Sequence, residues 1–290
     1  MLGSIMSAPQ LALVLGSGGV KSIAALGVAQ ALQHEGLRPD LIVGCSAGAL
    51  FGALLAMGLS TLEASKLATE LWSREVTSAR RHRAVFELLM PRLLGFNCES
   101  FALRQDEAIC GRLSQAFGAL RIEDLAIKLS IHATDAHSGD GVTLERGSLV
   151  DALRASIALP FLFSPKQIDG RWLIDGSVSD PLPVAAAAHA RLLIAVGFKV
   201  PAPRLVDRAS RLATRTSAAL SNNLMQARLS SHRGGPLISL FPPLQRRIGL
   251  FETAAMPELI ELGRRSAEAA MPSILAARQA LDRPNLAAVA

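Results

Sequence analysis

No tyrosine occurs in this chain of 290 residues, and phenylalanine and tryptophan bring the aromatic share to only 4%. Few rings are therefore available to stack on bases, and no nucleic-acid-binding module is recognisable. The net charge of +6 is not read as a nucleic-acid footprint. Cysteine is scarce as well. Cys45, Cys98 and Cys110 show no metal-ligand spacing and form no even disulfide framework, which points to reduced, structural thiols. No loop of closely spaced acidic residues suggests calcium, so neither a metal nor a cofactor is expected. Charged residues make up 19% of the chain against 50% hydrophobic. That balance excludes disorder except at the ends and implies a large core or a greasy surface. Met1 to Gln10 lack the basic start and long apolar stretch of a signal peptide. A cytoplasmic location is expected, with peripheral contact at the inner membrane face as a further option.

What is present begins with an apolar run. Leu41 to Leu59 hold nineteen residues without a charge, long enough to span a bilayer, but four glycines and Ser46 interrupt them. A buried strand turning into a buried helix reads the same way and is preferred. Before that run, Leu11 to Leu15 form a short apolar strand, a glycine-rich turn follows, and Ile23 to His34 have helical character up to Gly36. Strand, loop, helix, strand, sharp turn, helix predicts a parallel sheet. Residues 61–117 read as a helical insertion or lid, with a basic cluster at Arg80 to Arg83. Strand signals return at 127–133, 142–144, 172–174 and 192–197. Residues 204–233 and 252–281 read as helices separated by a proline-containing loop. The organisation expected is one catalytic domain over 10–200, with 201–282 as a helical extension packed on it. The fold class is α/β, a three-layer α/β/α sandwich with a mostly parallel central sheet.

Gly44-Cys45-Ser46-Ala47-Gly48 matches the Gly-x-Ser-x-Gly elbow, in which small flanking residues let the backbone turn sharply enough to expose a serine hydroxyl. A helix that follows points its positive end at developing negative charge. The bland reading is that Gly44 and Gly48 merely let a helix pack closely on a strand. Only one strand precedes this elbow, which argues against an ordinary α/β-hydrolase, and the six histidines carry no local signature of a general base. The loop Gly16-Ser17-Gly18-Gly19-Val20-Lys21-Ser22 fails the P-loop and dinucleotide patterns, because Leu15 and Val20 or Lys21 stand where glycine is required. What survives is a loop whose amides converge on an anion, or a plain tight turn. Trp172-Leu173-Ile174 run into Asp175-Gly176, a carboxylate at a strand end that turn statistics alone would leave unremarked.

Together these blocks resemble the patatin-like phospholipase family over about residues 10–200. That family carries a glycine-rich block ending in Lys or Arg plus Gly, then Gly-x-Ser-x-Gly. A stretch like Ala155 to Pro160 through Phe163-Ser164-Pro165 follows, and then Asp-Gly with a proline-containing turn. The resemblance implies a Ser-Asp dyad without histidine, with Ser46 as nucleophile and Asp175 as base. It also implies oxyanion-hole amides at Gly18 and Gly19, and support of that anion loop by Ser17 and Lys21. Three positions depart from the pattern: Ser17, Ser22 and Ser177 stand where the family has smaller residues. Each serine is tolerated where its backbone torsion is negative, and Ser22 is the critical case. The activity implied is hydrolysis of phospholipid or other acyl-ester lipids. The alternatives are an acyltransferase or thioesterase, and a catalytically silent scaffold or regulatory protein.

The basic surplus is regional, since residues 201–290 hold 12 Arg against 6 acidic residues. Arg204, Arg208, Arg211 and Arg215 fall on one face of a helical pattern, which suits either an anionic membrane surface or a solvated helix face. Arg246 to Phe251 raise the same two readings.

Overall fold

The computed structural model describes residues 9–72, 97–104 and 106–282. The cluster at Arg80 to Arg83 and part of the expected insertion therefore lie outside the described residues. The chain opens with β1 (Leu11–Leu15), a 3-10 turn at Gly19–Ile23 and α1 (Ala24–His34), followed by β2 (Leu41–Cys45), α2 (Ala47–Ala56) and α3 (Thr61–Leu71). Ser60 and Glu63 close α3 with a reciprocal capping box, satisfying two amides that a helix start leaves open. Next come α4 (Asp106–Phe117), β3 (Lys128–Asp135), β4 (Gly141–Leu144), α5 (Leu149–Ser156), β5 (Lys166–Ile168) and β6 (Arg171–Asp175). The described chain ends with β7 (Leu192–Val196), α6 (Ala209–Ser230), β8 (Leu237–Leu240) and α7 (Met256–Asp282).

The strands form one sheet in the order β5-β6-β3-β2-β1-β7-β8, with β4 paired on β3. Pairing is parallel from β3 through β2, β1 and β7 to β8, and antiparallel where β4, β5 and β6 meet. Residues alternate across the sheet, as a period of two requires. Leu11, Leu13 and Leu15 join α1, α2 and α7 in one core layer. Ala12 and Val14 face the other layer with Val184, Ala187 and Met225. The architecture is the expected three-layer α/β/α sandwich. Because β2 and β7 flank β1, the chain reverses its direction of winding at β1, and crevices form at such reversals beyond the carboxyl ends of the strands.

Two short strands were not expected. β5 spans three residues, two of them polar, too short for a pattern to emerge. β8 is a half-buried edge strand lying between Pro236 and Pro242, where prolines mask a strand signal. Both long helices are also displaced from their sequence boundaries. α6 starts at Ala209, so Arg204 precedes it and Arg208 is its N-cap.

Candidate active site

The sharp turn between β2 and α2 follows from its small residues. A Cβ on Gly44 would lie 2.4 Å from the Ala49 Cα, and one on Gly48 would lie 2.4 Å from the Leu15 carbonyl oxygen. Strand, elbow and helix thus meet at backbone distance. Ser46 sits between them with φ 57° and ψ −130°, a conformation that non-glycine residues rarely adopt and that costs about 1–3 kcal/mol. Two hydrogen bonds hold it there. The Ser46 N–H donates to Ser156 Oγ at 2.8 Å, and Ser156 Oγ in turn donates to the His132 carbonyl at 2.7 Å. Ser156, at the end of α5, therefore ties the elbow to β3. In the sequence it falls in the family-like block Ala155 to Pro160, which assigns it no role.

Ser46 Oγ donates to Asp175 Oδ2 at 2.6 Å. Asp175 ends β6 and is 1% exposed, while its Oδ1 accepts from the Ser177 N–H at 2.8 Å. Burial pushes its carboxyl above the ordinary carboxylate range, opposed by the hydrogen bonds from Ser46 and Ser177. Of the described histidines, none lines the cavity that Ser46 and Asp175 share. His132, on β3, bonds to Ser179. Burial, with help from Arg228, lowers its pKa to about 4, which keeps it neutral.

The glycine-rich loop crosses the carboxyl end of β1. Its outer amides are used: Gly16 N–H donates to Val196, Ser17 N–H to Pro181 and Val20 N–H to Leu250, all backbone carbonyls. Between them, the Gly18 and Gly19 amides bond to nothing among the described residues, and both residues line the cavity. Gly18 has extended backbone, whereas Gly19 has φ 60°. Ser22 is buried, and its hydroxyl donates to the Gly16 carbonyl at 2.9 Å, closing the loop. Positive φ among described non-glycine residues occurs only at Ser46, Phe161 and Asp169. Ser17, Ser22 and Ser177 therefore stand without the strain that a glycine requirement would impose.

The cavity has a volume of about 590 Å³. Lys21 and Asp175 are the charged side chains in its lining, both buried, and burial lowers the Lys21 pKa. Aliphatic and aromatic residues make up most of the rest. Several come from beyond residue 190: Phe198, Val200, Leu220, Leu224, Leu250 and Phe251. The end of the segment Arg246 to Phe251, Leu250 and Phe251, is part of this wall. Ile248 is buried, Arg246 pairs with Glu252 and Glu258, and the Leu250 carbonyl accepts from Val20 N–H at 2.8 Å and Trp72 Nε1–H at 3.3 Å. Of the arginines upstream, Arg208 and Arg211 both pair with Asp207. Among the described residues no cluster of His, Cys, Asp and Glu is placed to hold a metal ion, and no helix is long and apolar enough to cross a membrane.

Comparison with known proteins identifies the family. A family model described as patatin-like phospholipase matches residues 13–188. An uncharacterized NTE family protein of Mycobacterium tuberculosis (strain ATCC 25618 / H37Rv) is 37% identical over 194 residues, 66% of this chain and 50% of that protein. Patatin-like phospholipase domain-containing protein 7 of Rattus norvegicus is 31% identical over 201 residues, 67% of this chain and 14% of that protein. The chain thus spans half the length, or less, of these relatives. Among solved structures, human GIVD cytosolic phospholipase A2 superposes with a TM-score of 0.53 at 10% identity, covering 94% of this chain and 63% of that one, which is a likeness of fold. With the elbow, the glycine-rich loop and the strand-end aspartate in one cavity, and the family model spanning all three, the chain belongs to the patatin-like phospholipase family.

Proposed function

We propose that the protein is a lipid acyl hydrolase that works through a Ser46–Asp175 dyad and an acyl-enzyme intermediate. The observation that carries this reading is the 2.6 Å hydrogen bond from Ser46 Oγ to Asp175 Oδ2 at the wall of an apolar cavity. Asp175 Oδ2 takes the hydroxyl proton as Oγ bonds to the ester carbonyl carbon, and the carbonyl oxygen becomes an oxyanion. The Gly18 and Gly19 amides, left without other partners, are the donors for that oxyanion. Collapse of the intermediate breaks the bond to the alcohol, which leaves with the proton from Asp175. Water then attacks the acyl-serine by the same route, its proton passing through Asp175 to Ser46 Oγ as the fatty acid departs.

A carboxylate is a weak base in water, and burial of Asp175 raises its basicity toward the task. Membership of the family supports a lipid substrate, and the apolar lining suits an acyl chain. The cavity wall supplied from beyond residue 200 makes the 201–282 extension part of the same catalytic domain in this reading. The negative torsions at Ser17, Ser22 and Ser177 weigh against a silent scaffold, because the loop is not strained by them. The test is hydrolysis of a soluble short-chain ester, together with fluorophosphonate labelling. Ser46→Ala abolishes both, and Asp175→Asn lowers turnover by at least ~10²-fold, the usual scale of a positioned base. Retention of full esterase activity by Ser46→Ala would refute the dyad.

A further inference from the structure

Large apolar side chains left exposed on a folded chain are ordinarily scattered. Here they are gathered. Eight are exposed among the described residues, and five of them, Phe161, Val178, Val200, Leu220 and Leu250, also line the cavity and so form its mouth. Their exposures run from 37% to 66%. Leu205 and Leu212, just before and within the first turns of α6, are exposed too, but neither lines the cavity, and the 3.6-residue period turns Leu212 away from it. α6 itself buries only Ala218 and Met225 of its 22 residues.

The backbone supplies an independent observation. Phe161 has φ 69°, a conformation that an aromatic residue rarely adopts. It is fixed there by the Leu103 N–H, which donates to the Phe161 carbonyl at 2.9 Å. The outcome of this strained turn is a phenylalanine held 65% exposed at the rim, where strain in the backbone tends to mark a functional contact.

We propose that this rim seats the protein on the surface of a lipid layer, with the cavity mouth facing the acyl chains, and that apolar insertion rather than charge holds it there. The proposal rests on the lipid hydrolase reading and names the surface through which that site is fed. What covers such a rim must leave the mouth open and deliver an acyl chain, which a lipid layer does and a protein partner does not. The charge on α6 is poorly placed for the role. Arg211 and Arg215 fall on the side of α6 away from the cavity-lining Ser217, Leu220, Ser221 and Leu224 by the 3.6-residue period, and Asp207 already pairs with Arg211. An anionic surface met by those arginines would turn the mouth away from the lipid.

Sedimentation of the full chain with vesicles tests this. One set is pure phosphatidylcholine and the other contains phosphatidylglycerol, each at ~0.1 M and ~1 M salt, between which the screening length falls from about 10 Å to about 3 Å. The expected result is binding to both, little changed by salt. Leu220→Asp, and separately Phe161→Asp, weaken binding by about tenfold or more, because buried apolar area is replaced by a charge. Leu220→Asp keeps the wild-type melting temperature, because that side chain is 66% exposed, so its loss of vesicle binding is not a loss of fold. Binding confined to anionic vesicles and abolished by salt would overturn the proposal, as would unchanged binding by both variants. A dimer in the absence of lipid, converted to monomer by the same substitutions, would assign the rim to a second copy instead. Failure of the catalytic reading shows separately, as no soluble-ester turnover in a wild-type protein that still sediments with lipid.

Discussion

Asp175 concentrates the conflict between stability and chemistry in one side chain. Burial raises its pKa in the folded chain above the value near 3.9 of an exposed aspartate. The contribution of this group to stability is therefore fully present below the unfolded pKa and is lost as pH rises through the folded one. At neutral pH the ionised, buried carboxylate is a net cost. Asp175→Asn is accordingly expected to melt above wild type at neutral pH, with the difference shrinking in acid, even though turnover collapses. Thermal melts across pH check this, and a lower melting temperature for Asp175→Asn at neutral pH contradicts it. For the wild type, the proposed base acts only when ionised, so turnover is expected to fall as the pH drops through that raised pKa, at a higher pH than an ordinary aspartate would give. The pairing of Ser46 with Asp175 was legible only through the family resemblance of the ordered Gly-x-Ser-x-Gly and Asp-Gly blocks, since turn statistics alone leave Asp175 unremarked. Ser156 was not, because its partners, the Ser46 amide and the His132 carbonyl, are 110 and 24 residues away and only folding brings them together.

At the scale of the element, the glycine-rich loop separates two glycines that sequence treats alike. Gly18 is extended, and a Cβ there would meet the Ser22 hydroxyl at 2.9 Å and the Phe198 ring at 3.1 Å, side-chain atoms that can shift. Gly19 has φ 60°, and a Cβ there would lie 2.7 Å from the Leu250 carbonyl oxygen. That carbonyl also anchors Val20 and Trp72, so it is not free to retreat. Gly19→Ala is expected to displace the loop and reduce kcat by ~10²–10³, the scale of one lost oxyanion donor. Gly18→Ala should cost about tenfold or less, as a local repacking of side chains. Steady-state kinetics on a soluble ester compare them, and equal losses would mean that the Leu250 contact does not define the loop. The helix-strand alternation around the loop was readable from apolar periodicity. Its clamp was not, since Leu250 lies in a basic, apolar segment whose pattern suits a lipid surface equally well.

At the scale of the molecule, the question is how the C-terminal third is coupled to the site. α7 crosses α1 at backbone contact: a Cβ on Gly263 would lie 2.0 Å from the Ala24 carbonyl oxygen, and one on Gly27 would lie 1.8 Å from that of Ile260. Ala24 begins α1 directly after the Gly19–Ile23 turn, so a shift of α7 bears on the loop that lines the cavity. Neither glycine was legible as a contact, because a small residue in a helix carries no sign of its partner. Gly263→Ala must push the helices apart and is expected to destabilise by about 1–3 kcal/mol or more, as overpacking does, with a parallel loss of turnover. Gly111→Ala is the matched control. Gly111 is exposed on α4 with nothing near its missing Cβ, so the same added methyl should stabilise by up to ~1 kcal/mol through helix propensity and leave turnover alone. Denaturant unfolding of the two variants decides the matter. Opposite signs follow if α7 is seated on α1 as the glycines require. A Gly263→Ala variant as stable and as active as wild type would mean that the C-terminal helix does not brace the glycine-rich loop.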